Sequence, residues 1–244
     1  MKNVLIKSDY SGQELRILAE ISQDREMINA FNNNLDLHLL TANRVFSLGL
    51  GREALTDGTK AHAEAVREHK QKRHQAKNGI NFPTVYGAFP KRISEDNNVS
   101  IKEAARWLEE FNSLYPGVKK AIEETKQNLL QKGFITTLMG RRRRFPYYKE
   151  SSRFDKGKME RQAFNFRIQG FAADMIKIAA NKIRPKLLEY GAIIILTVHD
   201  ELVYECPEET SKPCAEMIYE TMCNCVRLSV PVEADVKIVQ TYGD

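Results

Sequence analysis

Leu196-Thr197-Val198-His199-Asp200-Glu201-Leu202-Val203 decides how this chain folds. Two aliphatic, β-branched runs meet at an acidic pair, the pattern of a β-hairpin whose tip carries Asp200 and Glu201. Near the N-terminus Ile6-Lys7-Ser8-Asp9-Tyr10-Ser11 closes another short strand-like run, placed at about residues 3–9, and it too ends on an aspartate. A carboxylate at the tip of a strand is held rigidly. Two of them brought together can hold a pair of Mg²⁺ ions, typically about 3.5–4 Å apart, around an in-line phosphoryl displacement. Nothing in the spacing itself pairs Asp9 with Asp200, and two unrelated surface turns would read the same way.

Working outward, apolar spacing predicts a helix over about 13–24, where Leu15, Leu18, Ala19 and Ser22 share a face. Residues 28–66 are mixed, with helix in Asp36-Leu37-His38-Leu39-Leu40-Thr41-Ala42 and a loop near Thr56-Asp57-Gly58-Thr59. Residues 62–87 read as one long basic helix. Two further helices follow, Ser100–Leu114 and Val118–Lys132, the second ended by Gly133. A short strand-turn-strand covers Phe134–Leu138 and Arg143–Pro146, and the polar segment Lys149–Lys158 reads as an exposed loop. A long helix is expected over about 159–189, then the strand at 193–199, a helix near 211–227 and a last strand in Val230–Val239. The whole is α+β: a few antiparallel strands under helices, with a helical insertion.

Between the two aspartates lies Arg67-Glu68-His69-Lys70-Gln71-Lys72-Arg73-His74-Gln75-Ala76-Lys77-Asn78-Gly79-Ile80-Asn81-Phe82-Pro83-Thr84-Val85-Tyr86-Gly87, which mixes cations with aromatics at helical spacing. Taken in order with the Asp9 and Asp200 segments, it resembles motif B between motifs A and C of the family A DNA polymerases, the bacterial polymerase I type. Gly140-Arg141-Arg142-Arg143-Arg144 and the segment from Arg161-Gln162-Ala163-Phe164-Asn165 through Asp174 fit the same family, so the resemblance covers nearly the whole chain.

The resemblance implies a polymerase right-hand fold without the thumb: an antiparallel palm sheet built from residues 1–24 and 131–244, with helical fingers over 25–130. It implies template-directed addition of deoxynucleotides to a primer 3′-end, with Asp9, Asp200 and Glu201 catalytic and two Mg²⁺ held by Asp9, Tyr10 and Asp200. Glu201, next to Asp200 on a strand, is expected to point to the other side and act indirectly. Glu14, His38, Arg73, Lys77, Phe82 and Tyr86 are implied to bind the incoming nucleotide. The glutamate at the place of Glu14 blocks a 2′-hydroxyl in this family and so favours DNA over RNA synthesis; on its own it would be a helix N-terminal carboxylate satisfying the dipole. Arg161, Asn165 and Gln169, spaced by four, are implied to approach the primer-template from one helix face. His199 is implied to lie beside the primer terminus, although a His-Asp pair also suits a metal phosphohydrolase. The four arginines suit phosphates or an exposed turn.

One spacing departs from the family. Arg73 and Lys77 are four apart and share a face, but Lys77 and Phe82 are five apart where the family has four. On a regular helix that puts the cation and the ring on different faces. Pro83 cannot donate a backbone hydrogen bond and would press on the Gly79 carbonyl. A one-residue π-bulge near Asn78-Gly79 would absorb the extra residue and bring the cations back into phase with Phe82.

With 244 residues and 42% hydrophobic content the chain can bury a substantial core. A net charge of +5 tolerates polyanionic partners. No run of about 18 apolar residues is present, so no membrane partner is expected, and a cytoplasmic location in a bacterial or phage-infected cell is, with an organelle as the alternative. The four cysteines, clustered near the C-terminus without paired CxxC spacing, read as reduced structural thiols. The family's thumb, the earlier palm and any proofreading exonuclease would precede Met1. That leaves a split enzyme completed by a separate polypeptide, a gene fragment or a minimal polymerase, with a non-catalytic DNA-binding half as the rival function.

Overall fold

The computed structural model describes residues 2–243. In chain order it holds β1 (Asn3–Tyr10), α1 (Gln13–Ser22), α2 (Arg25–Asn32), α3 (Leu37–Phe46), α4 (Arg52–Leu55), α5 (Lys60–Glu68) and α6 (Lys70–Gln75). A π-helical turn, Ala76–Asn81, leads into α7 (Phe82–Val85), α8 (Pro90–Asn97), α9 (Ile101–Leu114) and α10 (Pro116–Lys132). The short hairpin β2 (Phe134–Thr136) and β3 (Arg142–Arg144) precedes α11 (Arg153–Leu187). The chain closes with β4 (Ile193–Val198), β5 (Glu201–Pro207), α12 (Ser211–Cys223) and β6 (Ala234–Val239).

The elements gather into two compact units, one made of the chain up to Ile17 and from Ile168 onward, the other of Leu18–Arg167. The first is built on a four-stranded antiparallel sheet in the order β4-β5-β1-β6. β1 alternates strictly, burying Val4, Ile6, Ser8 and Tyr10 and exposing Asn3 and Asp9, which is how a period-2 strand covers a core on one face only. α12 seals the buried face near the Tyr10 end: the Tyr10 hydroxyl donates to the Met222 carbonyl and meets Cys225 Sγ at 3.0 Å. Lys182 and Lys186 of α11 reach the Cys225 carbonyl and Thr221 Oγ1. The sheet's β4 edge keeps Ile193, Ile195 and Leu196 exposed.

The second unit is helical. Asp24 and Asp36 cap α2 and α3, each accepting from two main-chain N–H groups, and Ser100 caps α9 through the Glu103 N–H. α9 buries Trp107 and Phe111, with Tyr115 just past its end. Trp107 meets Phe46 edge-on at 5.3 Å, and the Tyr115 hydroxyl lies 3.1 Å from Thr41 Oγ1. α10 ends at Gly133, whose φ is +68°.

Several boundaries differ from the sequence reading. The basic helix breaks at His69, which leaves helical geometry (φ −103°, ψ 23°) and separates α5 from α6. α8 is an additional helix that the reading left unassigned. α11 starts at Arg153, inside the segment expected to be loop, and Pro185 sits in its last turn without ending it.

Candidate active site

β1 delivers Asp9 to the end of the sheet, where the ladder sets it directly opposite Glu201 in β5 and Asp235 in β6. Directly opposed residues of an antiparallel pair present their side chains to the same face, so three carboxylates stand abreast on adjacent strands. The expectation that Glu201 points away is therefore corrected: Asp200 lies outside the strand alternation, in the two-residue turn His199-Asp200 closed by the Val198–Glu201 pair. His199 takes a φ of +54° to make that turn, a conformation that costs an L-residue on the order of 1 kcal/mol. The Glu201 carboxylate also accepts from the Tyr242 hydroxyl at 3.3 Å.

Although Asp9 stands on the exposed side of β1, partial loss of water around its carboxyl raises it above its ordinary value, and the negative charges of Asp200, Glu201 and Asp235 push in the same direction against a main-chain bond from Tyr10. A carboxyl raised by its anionic neighbours in this way fits a divalent cation, which would relieve the repulsion on Asp9. Among the described residues no three His, Cys, Asp or Glu side chains group closely enough to hold a metal by themselves. That donor set suits Mg²⁺, which is bound through one or two carboxylates plus water and phosphate oxygens. Tyr10 turns its phenol into the core, so of its two oxygens the phenolic one is withdrawn from such an ion.

On the same unit, Glu14 opens α1 and Gln169 Nε2 lies 3.5 Å from Glu14 Oε1, bringing a nucleotide candidate beside a DNA candidate.

The other unit assembles the remaining nucleotide candidates around the π-helical turn. Wider than an α-turn, it absorbs the extra residue between Lys77 and Phe82, and Lys77 Nζ lies 5.9 Å from the Phe82 ring centre. The His38 ring packs against Phe82 itself, 5.8 Å between centroids, and its Nδ1 accepts from Asn81 Nδ2 at 2.9 Å. Burial drives the His38 pKa down to about 4, with Arg73 and Lys77 adding to the effect and Asp36 opposing it. The imidazole is thus neutral at pH 7, and a Nδ1 that accepts leaves its proton on Nε2. Gly79 leaves room here: a Cβ would fall 2.0 Å from Asn97 Oδ1 and would push aside the Asn97 side chain, whose Nδ2 reaches over to the Gly79 and Ile93 carbonyls.

Tyr86 lines an open cleft of about 540 Å³ with Asn78, Phe82, Phe89, Arg92 and Arg161. Arg161 stacks on Phe89 at 4.8 Å, and its Cγ occupies the space that a Cβ at Gly87 would need, 2.8 Å from that position; the φ of +70° there also suits glycine. Asn165, one turn further along α11, is partly buried. The arginine run is held by aromatics: Arg142 over Phe134 at 4.1 Å, Arg143 over Phe145 at 5.2 Å and Arg141 over Phe166 at 5.6 Å.

Three residues of these clusters escaped the sequence reading. Asp36 had a signal, an aspartate just before an apolar helical run, but not its second partner, Arg73, far away in sequence. Asp235 and Asn81 join through strand register and the π-turn, and neither leaves a local mark.

A carboxylate-tipped antiparallel sheet and a basic helix with a π-turn around Phe82 define the class. The model of DNA polymerase family A matches residues 1–244, and the chain belongs to that family. It is 39% identical over 237 residues to DNA polymerase I of Caldicellulosiruptor bescii, covering 96% of this chain and 26% of the relative. With the thermostable DNA polymerase I of Thermus aquaticus it shares 36% over 239 residues, 98% of this chain and 27% of that one. The chain thus spans about a quarter of the length of these curated relatives. A solved structure of the POL domain of Pol1 from M. smegmatis, in complex with DNA primer-template and dNTP, superposes with a TM-score of 0.84 at 30% identity. That match takes in 98% of this chain and 40% of the other. No helix among the described residues is long and apolar enough to cross a membrane.

Proposed function

We propose that this chain is the palm and fingers of a template-directed DNA polymerase, and that it adds deoxynucleotides to a primer 3′-end. The observation that carries the reading is the acidic sheet end, Asp9 abreast of Glu201 and Asp235 with Asp200 in the adjoining turn, in a chain of DNA polymerase family A. Asp9 and Asp200, with the Tyr10 carbonyl, would hold two Mg²⁺, which supply charge stabilisation for an attacking 3′-oxygen and a departing pyrophosphate.

The chain's own groups do the rest. Arg73 and Lys77 bind the triphosphate, Phe82 and Tyr86 stack on bases, and the neutral His38 offers an uncharged N–H donor. Glu14 stands against a 2′-hydroxyl. Arg161, Asn165, Gln169 and His199 contact the primer-template, and the run Arg141–Arg144 adds phosphate contacts. The proposed reaction is synthesis alone; no proofreading step is assigned to these residues.

A second reading is favoured by the exposed apolar edge of β4, with Ile193 57% exposed. In it the chain binds DNA but incorporates nothing until a partner polypeptide covers that edge. Single-nucleotide primer extension with Mg²⁺, comparing dNTP with rNTP and template with no template, separates the two. Template-dependent dNTP addition by the purified chain supports the first. DNA binding without addition, restored by a polypeptide carrying the rest of a family A polymerase, supports the second, and hydrolysis of nucleotide without primer-template refutes both.

A further inference from the structure

The Asp36 carboxylate is almost wholly removed from solvent, at 5% exposure, and each of its oxygens has a separate task. Oδ1 accepts from the His38 and Leu39 N–H groups at 3.0 Å and closes the N-terminus of α3. Oδ2 accepts from Arg73 Nε at 2.5 Å and lies 3.2 Å from His62 Nε2. His62, itself nearly buried, reaches Asp57 with its other nitrogen at 3.2 Å. Burial alone would push the Asp36 carboxyl up. The bonds from Arg73, the Leu39 N–H and His62 outweigh that and hold it below the usual carboxylate range, so it remains an anion.

Arg73 is held by its Nε, on the side of the guanidinium, and the terminal nitrogens lie outside this bond. The same carboxylate starts the helix that carries His38 against Phe82 and Asn81. One buried anion thus sets the direction of a cation and the place of a neutral imidazole in the same cluster, and α5, through His62, fixes the anion.

We infer that Asp36 is the positioning residue of the nucleotide cluster: it aims the Arg73 fork at the triphosphate of the incoming nucleotide and seats His38, with His62 as its brace. This rests on the proposed polymerase reading. Without Asp36, Arg73 keeps its charge but loses its direction, and binding of the triphosphate suffers before the chemical step does.

Asp36→Asn separates the role from folding. Asparagine caps a helix about as well as aspartate, so α3 keeps its start, while the carboxamide cannot hold the guanidinium. Losing one charge-assisted bond corresponds to a factor of about 10–100 in binding. The expected result is a rise of that size in KM for dNTP, with kcat little changed, and no further rise when Asp36→Asn is combined with Arg73→Lys. An unchanged KM in Asp36→Asn, or effects that multiply in full in the double variant, would overturn the inference. If the parent incorporates no nucleotide in any assembly, the polymerase reading has failed, and binding of inorganic tripolyphosphate to parent and Asp36→Asn still decides this one by the same margin. A slowly exchanging Arg73 Nε–H resonance in the parent needs no variant; its absence would also count against the role.

Discussion

Lys77 Nζ lies 5.9 Å from the centre of the Phe82 ring although the two residues are five apart, because the turn between them is π-helical. An α-helix would have separated them by about 140°. The insertion is thus accommodated where it occurs, and the basic face of α6 stays in phase with the aromatic that follows.

That phase depends on Gly79. In an open helix Gly→Ala gains about 1 kcal/mol. Here the methyl would displace the Asn97 side chain, which would lose its bonds to the Gly79 and Ile93 carbonyls. Gly79→Ala should therefore destabilise by about 1–2 kcal/mol in urea unfolding. In an Asn97→Ala background the same substitution should cost much less. Equal costs in both backgrounds would mean that Asn97 does not sit on this glycine.

The half-buried imidazole of His38 gives stability a definite pH dependence. Its pKa is about 4 when folded against an ordinary 6.5. Between those values the unfolded chain takes up a proton that the folded chain refuses. Stability from this group is therefore complete above pH 6.5, falls as pH drops toward 4 and changes no further below that. The loss is at most about 3 kcal/mol. His38→Gln should remove that part of the slope, and urea midpoints at pH 7, 5.5 and 4.5 for parent and variant give the comparison. Identical slopes would mean that the ring is not buried neutral.

The stacked arginines predict a salt signature. Arg143 is fixed over Phe145 on an exposed hairpin, ready for a phosphate. Arg143→Ala should weaken binding of primer-template whatever its sequence and lower the slope of log K against log salt by about one. Fluorescence anisotropy at several salt concentrations measures it. An unchanged slope would leave Arg143 with a structural place in the β2–β3 hairpin only.

Much of this was legible in the sequence, and what was not has physical reasons. β1 carries period-2 alternation, the β4–β5 hairpin two aliphatic runs meeting at a polar turn, and the helices between Ser100 and Gly133 a capping serine and a terminal glycine, all local signals. The start of α11 was hidden because its first turn has no apolar face to read: Phe154 is 80% exposed and the neighbours are charged. The break at His69 has no glycine or proline to announce it. In the candidate site, Asp9 and Asp200 could be picked from strand ends, but the company Asp9 keeps could not. Asp235 faces it through the register of β6, and Glu201 shares its face because Asp200 belongs to the turn. Register is a long-range property set by the whole sheet. Asp36 illustrates the same limit, since its cap is local while its grip on Arg73 is tertiary.

The central claim is that Asp9 and Asp200 together hold the catalytic cations, and single-turnover primer extension with Asp9→Ala and Asp200→Ala tests it most directly when DNA affinity is measured alongside. Each variant should lose incorporation by at least about a thousandfold, roughly 4 kcal/mol of barrier, while binding primer-template within a few-fold of the parent. Retention of the parent rate within about tenfold by either variant would contradict the assignment.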